Sequence, residues 1–369
     1  MSLISDFMHL VDEGRKGNNI GLSTGLSKLD KIVYGVQRRN ITLIGATSGG
    51  GKTTFALYSY VYQPLKQMLG DPRLKIIYIS LEMNRETLIA KLLSLYIKDT
   101  FGEIIQYKDI FSLERTISSH HYELIQKSMQ WLTTVESHLI IYDKPVNSEK
   151  MDLLIKGVLN TYGNFEEESK YHIKYTSKYE NPYFIVVIDH ISLLQVSTGK
   201  TLKQEVDDAA AKLIWLKNTA SITAVIIQQV NRNAQNIDRR KLGLTELTMA
   251  DFADSSGTQN AAETIIALNH PFREKLDSCR GYNIEKLCDR FRLVSILKGR
   301  FGQSEVAFGT SFYGEIGFFD ELPLPNEMTD EQYEEVVKIE SIFNKRVEKK
   351  EDEPKKEGFS FRLDDGFKL

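Results

Sequence analysis

Apolar runs of strand length alternate along the chain with segments whose apolar residues recur every three or four positions. The strand-like runs are Ile41–Gly45, Lys75–Leu81 (KIIYISL), His138–Tyr142, Phe184–Leu194 (FIVVIDHISLL), Ile222–Gln228 and Thr264–Leu268. Phe184–Leu194 is almost continuously apolar and β-branched, as a strand covered by helices on both faces must be. Helical spacing predicts helices over residues 3–11, Arg85–Ile97, Ser119–Thr134, Ser148–Tyr162 and Asp207–Ala220. Strands alternating with helices predict an α/β fold with a central, mostly parallel sheet flanked by helices. A further strand, Arg292–Arg300, and a hairpin of Ala307–Ser311 with Ile316–Phe319 close the pattern.

Four stretches break the alternation. The helix at residues 3–11 carries Leu3, Ile4, Phe7, Met8, Leu10 and Val11 ahead of a polar link, Gly14–Asn19. It has nothing local to pack on, and composition favours its folding back onto the core. Gly163–Pro182 has no apolar period and reads as a surface insertion, either a hairpin or a mobile loop, and Val196–Val206 reads as a polar loop. Beyond Pro323 apolar density falls: a helix is expected over Asp330–Asn344, then a disordered mixed-charge run, Lys345–Glu357, then a phenylalanine-rich terminal peptide suited to docking a partner. These features divide the chain into an N-terminal helix and linker (1–20), one large domain (21–322) and a C-terminal helix and tail (323–369).

Composition narrows the partners. Forty-seven Lys and Arg against 50 Asp and Glu give a formal charge of −3, so no global basic field points to nucleic acid and any such contact must be local. Cys279 and Cys288 form neither a zinc-ligand pattern nor a disulfide framework. With no membrane-length apolar run and no export signal, a reducing cytoplasmic setting is the expectation. His120, His121 and His138 sit among polar neighbours and read as solvated.

The candidate chemistry lies at strand ends. ITLIGATSGGGKTTFA (Ile41–Ala56) is a strand, a glycine-rich turn and a helix start, with the spacing Ala46-x-x-x-x-Gly51-Lys52-Thr53. The first glycine of the usual phosphate-loop pattern is an alanine here. Residues Ala46, Thr47, Ser48, Gly49, Gly50, Gly51, Lys52, Thr53 and Thr54 form the expected cradle: backbone amides converge on an anion, Lys52 reaches the β- and γ-phosphates, and the Thr53 hydroxyl holds Mg²⁺. Glu82 follows the second strand, where it is placed to activate a water; a helix cap or solvated carboxylate is an equal alternative. Asp189, a carboxylate inside an apolar strand, reads as the acid of the Mg²⁺ shell, against a satisfied core aspartate. Gln228-Gln229 end the next strand near the γ-phosphate. Arg239, Arg240 and Lys241 form a basic triplet, which is either a phosphate-backbone contact or a solvated face.

Together the motifs resemble a family. Thr24-Gly25, Leu29-Asp30 and Gly35 ahead of the loop, then Ser80-Leu81-Glu82-Met83, IDHISLL, Gln229-Val230-Asn231-Arg232 and Lys298-Gly299-Arg300-Phe301-Gly302 are similar to the RecA-like P-loop motor domain of DnaB-type replicative helicases, above all bacteriophage versions. The likeness covers about Gly21 to Phe319. It implies ATP and Mg²⁺ as cofactors, Lys52 and Thr53 at the nucleotide, Glu82 as the base, Asp189 at the metal and Gln229 as the γ-phosphate sensor. Arg300 corresponds to an arginine finger and Lys298 to its companion, both inserted into a neighbouring subunit's site. It further implies a homo-oligomeric ring, usually of six, threading single-stranded DNA and unwinding duplex 5′ to 3′. The N-terminal helix then packs on the adjacent subunit, which displaces the fold-back expectation. The collar and primase regions of larger members have no counterpart, and primase, loader or other replisome contacts pass to the C-terminal tail. Where bacterial members read Arg-Glu-Ser-Gly, this chain has Ala253-Asp254-Ser255-Ser256, so DNA contacts are assigned to Arg232, Arg239, Arg240, Lys241 and Lys200. Competing readings are a filament-forming recombination or repair ATPase, disfavoured by the Lys-Gly-Arg exit and the N-terminal helix, and a nucleotide-binding scaffold, which is free to lose at least one of Lys52, Thr53, Glu82, Asp189 and Arg300.

Overall fold

A computed structural model describes residues 3–17, 19–169, 172–231, 239, 245–252, 256–300 and 302–338. The chain opens with α1 (Leu3–Arg15) and α2 (Ser27–Val33), then β1 (Asn40–Ala46) and α3 (Lys52–Ala56), which runs on through a π-helical stretch, Leu57–Tyr62, into α4 (Gln63–Met68). Next come β2 (Leu74–Ser80), α5 (Arg85–Phe101), α6 (Tyr107–Ile110), α7 (Ser119–Lys127), α8 (Met129–His138), β3 (Leu139–Tyr142) and α9 (Ser148–Tyr162). The hairpin β4 (Gly163–Ser169) and β5 (His172–Ser177) leads to β6 (Tyr183–Asp189), α10 (Leu202–Ala220), β7 (Thr223–Gln229) and β8 (Thr264–Asn269). A two-residue ribbon, β9 (Ser278–Cys279) with β10 (Tyr282–Asn283), precedes β11 (Phe291–Gly299), β12 (Val306–Tyr313) and β13 (Phe318–Glu321).

Among the described residues the main sheet has nine strands in the order β13-β12-β11-β8-β1-β7-β6-β2-β3. The six from β8 to β3 are parallel, and β11, β12 and β13 extend the sheet antiparallel. β1, β2 and β6 are buried at every position because helices cover both faces. Alternate residues of β6 serve opposite cores: Ile185 and Val187 face α3 and α5, while Phe184, Val186 and Ile188 face α9 and α10. Helix starts are fixed by side-chain caps, Asn84 for α5, Asn147 for α9 and a Thr201–Gln204 capping box for α10.

Several sequence expectations change. The apolar side chains of α1 do not fold back: Ile4, Phe7 and Leu10 are 73%, 62% and 57% exposed, and the helix is anchored by Glu13, which accepts from Asn181 Nδ2 at 2.6 Å. His138 is buried rather than solvated, its Nε2 accepting from the Gly70 amide at 2.8 Å, because the α8–β3 turn packs against the start of β2. The helix expected over Ser119–Thr134 is two, broken at the buried Ser128 and reaching His138. The strand expected to reach Leu194 stops at Asp189 and gives way to a 3-10 turn, Ile191–Leu193. α10 begins five residues before Asp207, at the capping box. Gly163–Pro182 is a hairpin whose Phe165 stacks on Trp215 of α10. Residues 330–338 are helical, and Tyr333 and Val336 pack with Leu287, Phe291 and Leu293, so the main body passes the boundary expected at residue 322. Lys345–Glu357 and the terminal peptide lie outside the described residues. No helix among those described is long and apolar enough to cross a membrane.

Candidate active site

The parallel strands deliver their last residues to one edge of the sheet, where a ligand crevice forms in such folds. Ala46 pairs with Gln229 and Ser80 with Asp189, so β1, β7, β2 and β6 bring the phosphate loop, the glutamine, Glu82 and the aspartate together. The turn from β1 into α3 needs its glycines. Gly51 has a φ of 95°, in the left-handed region, and a Cβ on Gly50 would lie 2.7 Å from the Cβ of Ala46. The alanine fits because Gly50 yields the space.

Two arginines hold the loop by its carbonyls. Arg273 donates to the Ser48 carbonyl, and the buried Arg292 donates from Nε to the Gly50 carbonyl at 3.3 Å. A carbonyl turned toward a guanidinium is turned from an anion it would repel. Burial lowers the Arg292 guanidinium to about 10, which leaves it charged at neutral pH. A cavity of about 690 Å³ adjoins the loop at Gly49, lined by His270, Phe272, Arg273, Arg292 and Phe312 among others.

Asp189 is fully buried, with Oδ1 accepting from Thr53 Oγ1 at 3.1 Å and Oδ2 from the Tyr78 hydroxyl at 2.8 Å. Burial pushes its carboxyl above the ordinary value, and those two hydrogen bonds pull against it. Glu82 leaves β2 through a turn pinned by Ser80, which donates to the Met83 carbonyl at 2.5 Å, and by the Leu81 amide, which donates to the Asp189 carbonyl at 2.6 Å. The Glu82 side chain is 46% exposed, with Oε2 4.0 Å from Lys52 Nζ and 3.9 Å from His190 Nε2. Burial, and then the charge of Lys52, lower the His190 imidazole below its ordinary value, against the opposing pull of Glu82. Gln229 is exposed at the tip of β7, whereas Gln228 turns inward and accepts from Thr258 Oγ1 at 2.8 Å. Thr54 is buried, with its methyl packed beside Gly317.

Among the described residues no group of three or more His, Cys, Asp or Glu side chains could hold a metal alone. Asp189 Oδ1 beside Thr53 Oγ1 is instead a pair of hard oxygens, the donor set suited to Mg²⁺ that keeps waters and takes the rest of its shell from phosphates.

Arg300 and Lys298 sit at the other edge of the sheet. Gly299 pairs with Thr264, and Thr264 with Thr42 near the start of β1, so roughly 17 Å of strand separates them from the phosphate loop. Arg300 Nη1 donates to Glu263 at 3.1 Å, and Lys298 Nζ to the Gln259 carbonyl at 3.0 Å. Of the residues assigned to DNA, Lys200 pairs with Asp208 at 2.7 Å, and Arg239 donates to the buried Asp251 and to the Glu246 carbonyl. Arg232, Arg240, Lys241 and Ala253–Ser255 lie outside the described residues. Sequence reasoning missed Tyr78, His190, Arg273 and Arg292; only His190 carried a signal, its place directly after Asp189.

Residues 21–320 match the DnaB-like helicase C terminal domain family. A probable replicative DNA helicase of Trieres chinensis is 23% identical over 308 residues, covering 81% of this chain, and the chain spans 57% of that relative's length. One solved structure, described as an ATPase domain, superposes with a TM-score of 0.68 at 19% identity, covering 87% of this chain and 99% of that one. A DnaB-like replicative helicase, described together with its interactions with primase, gives 0.63 at 20% identity, covering 88% of this chain and 67% of that one. With the family matched over most of its length, and with the loop, Glu82, Asp189 and Gln229 gathered at one sheet edge, the chain belongs to the DnaB-like helicase C-terminal domain family.

Proposed function

We propose that the chain is an ATP-driven motor that translocates on single-stranded DNA and unwinds duplex, working as a homo-oligomeric ring in which each nucleotide site is completed by the next subunit. The observation that carries this reading is the split of the site: phosphate loop, Glu82 and Asp189 at one edge of the sheet, and Arg300 at the other, its side chain 63% exposed. A guanidinium that far from its own phosphate loop serves a neighbour's.

The loop amides and Lys52 would bind the triphosphate, with the nucleoside in the cavity beside Gly49. Mg²⁺, held by Thr53 and through Asp189, would supply charge neutralisation at the β- and γ-oxygens. Tyr78 fixes the Asp189 carboxylate by its hydrogen bond. Glu82 takes a proton from water as the oxygen attacks the γ-phosphorus; the bond to the β,γ-bridging oxygen breaks and ADP carries that oxygen away. The neighbour's Arg300 meets the charge that builds on the transferring group, and Gln229, at the tip beside Ala46, is placed to register its loss. A primase contact, described for one structural relative, is assigned to the C-terminal tail within residues 323–369.

ATP hydrolysis with and without single-stranded DNA, alongside unwinding of a forked duplex, tests the reading. Stimulation with unwinding is expected, and Arg300→Ala should spare nucleotide binding while lowering stimulated turnover by about a thousandfold. Stimulation without unwinding would select a recombinase-like ATPase, and full turnover in Arg300→Ala would remove the trans contact.

A further inference from the structure

Glu263 stands one residue before β8 and is 4% exposed. Its Oε1 accepts from Lys217 Nζ and from Arg300 Nη1, and its Oε2 accepts from the Ile41 amide at 2.8 Å. The backbone repeats the connection, with the Arg300 amide donating to the Glu263 carbonyl at 3.0 Å and the Glu263 amide to the Ile41 carbonyl at 2.9 Å. One buried carboxylate thus ties the guanidinium to the foot of the strand whose other end carries the phosphate loop.

The two cations on this carboxylate differ. Lys217 is 8% exposed and cannot leave without stranding a buried charge, whereas the Arg300 side chain is mostly in solvent. An ion pair with one exposed partner is weak, and a multiply charged anion readily displaces it. When the guanidinium leaves, Lys217 and the Ile41 amide still satisfy Glu263, so departure creates no unpaired buried acid.

We propose that Glu263 is a positioning residue for Arg300, a dock that aims the guanidinium outward at the sheet edge and releases it to a neighbouring copy's triphosphate while remaining neutralised by Lys217. The proposal rests on the reading of Arg300 as a group acting in trans.

Mixing disabled chains separates the two. Lys52→Ala chains lack a working pocket but keep Arg300, and Arg300→Ala chains have the converse defect, so mixed assemblies should regain DNA-stimulated turnover that neither has alone. Without that recovery the trans reading fails, and the dock with it. Glu263→Gln is then expected to lower kcat about tenfold at unchanged KM for ATP and unchanged sedimentation, and to be rescued by Lys52→Ala chains as Arg300→Ala is. Wild-type turnover in Glu263→Gln, beside recovery in the Arg300 mixture, would overturn the dock and leave the trans reading standing. A raised KM or lost assembly would also overturn it, by marking a structural role. If Glu263→Gln does not fold, Glu263→Gln/Lys217→Met, which withdraws both buried charges, is read by the same criteria.

Discussion

Ala46 occupies the first glycine position of the phosphate loop, and its Cβ would stand 2.7 Å from one on Gly50, so the loop accepts a side chain at one of these positions and not at both. Gly50→Ala should weaken nucleotide binding at least about fivefold, in line with about 1–3 kcal/mol for overpacking. Ala46→Gly should leave affinity within about twofold, and the double change should recover part of the loss, all read by titration with a fluorescent nucleotide. A Gly50→Ala chain binding as tightly as its parent would remove the crowding account. That Lys52, Thr53, Glu82 and Asp189 come together was legible, because each stands at or just past the end of a strand-like run. Tyr78 and Arg292 were not, since one acquires its role from the β2–β6 register and the other by reaching the loop from a strand more than 240 positions later. His138 misled for a similar reason: its neighbours in sequence are polar, but its neighbours in space are backbone groups of the β2 lead-in.

Between elements, Glu205 does for α9 and α10 what caps do within a helix. From α10 it accepts from the Ser148 amide at the start of α9 at 2.6 Å and from the Ser197 amide at 3.2 Å. Burial alone would raise its carboxyl, but these bonds overcome that and hold it at about 2. A carboxyl depressed in the fold adds stability above its unfolded value of 4.5 and loses it as pH falls toward about 2. Glu205→Gln should therefore cost on the order of 3 kcal/mol near pH 6, and the gap to the parent should narrow below pH 4.5 in urea melts. A gap that does not change with pH would refute the carboxylate's part. Element types were legible wherever apolar runs were long, as in β6 and α9. Ends were not: the capping box moved the start of α10 back to Leu202, and the Phe165 and Tyr175 rings bind the β4–β5 hairpin to α10 and β6 without an apolar period.

For the whole molecule the exposed face of α1 matters most. Ile4, Phe7 and Leu10 lie in solvent on a helix anchored through Glu13, an arrangement suited to packing on an adjacent copy. Deleting residues 1–16 should shift sedimentation toward smaller species at a given concentration while leaving nucleotide binding intact, and an unchanged distribution would refute that role. The parallel sheet was readable from the alternation of strands and helices, but the antiparallel turn of β11, which carries Arg300 to the rim opposite the phosphate loop, was visible only once the strands were paired. On the proposed reading that reversal makes the molecule two-ended, giving at one rim and receiving at the other. A closed circle of such units has as many finished pockets as members, whereas an open row always leaves the pocket at one terminus idle, so closure itself adds a working site.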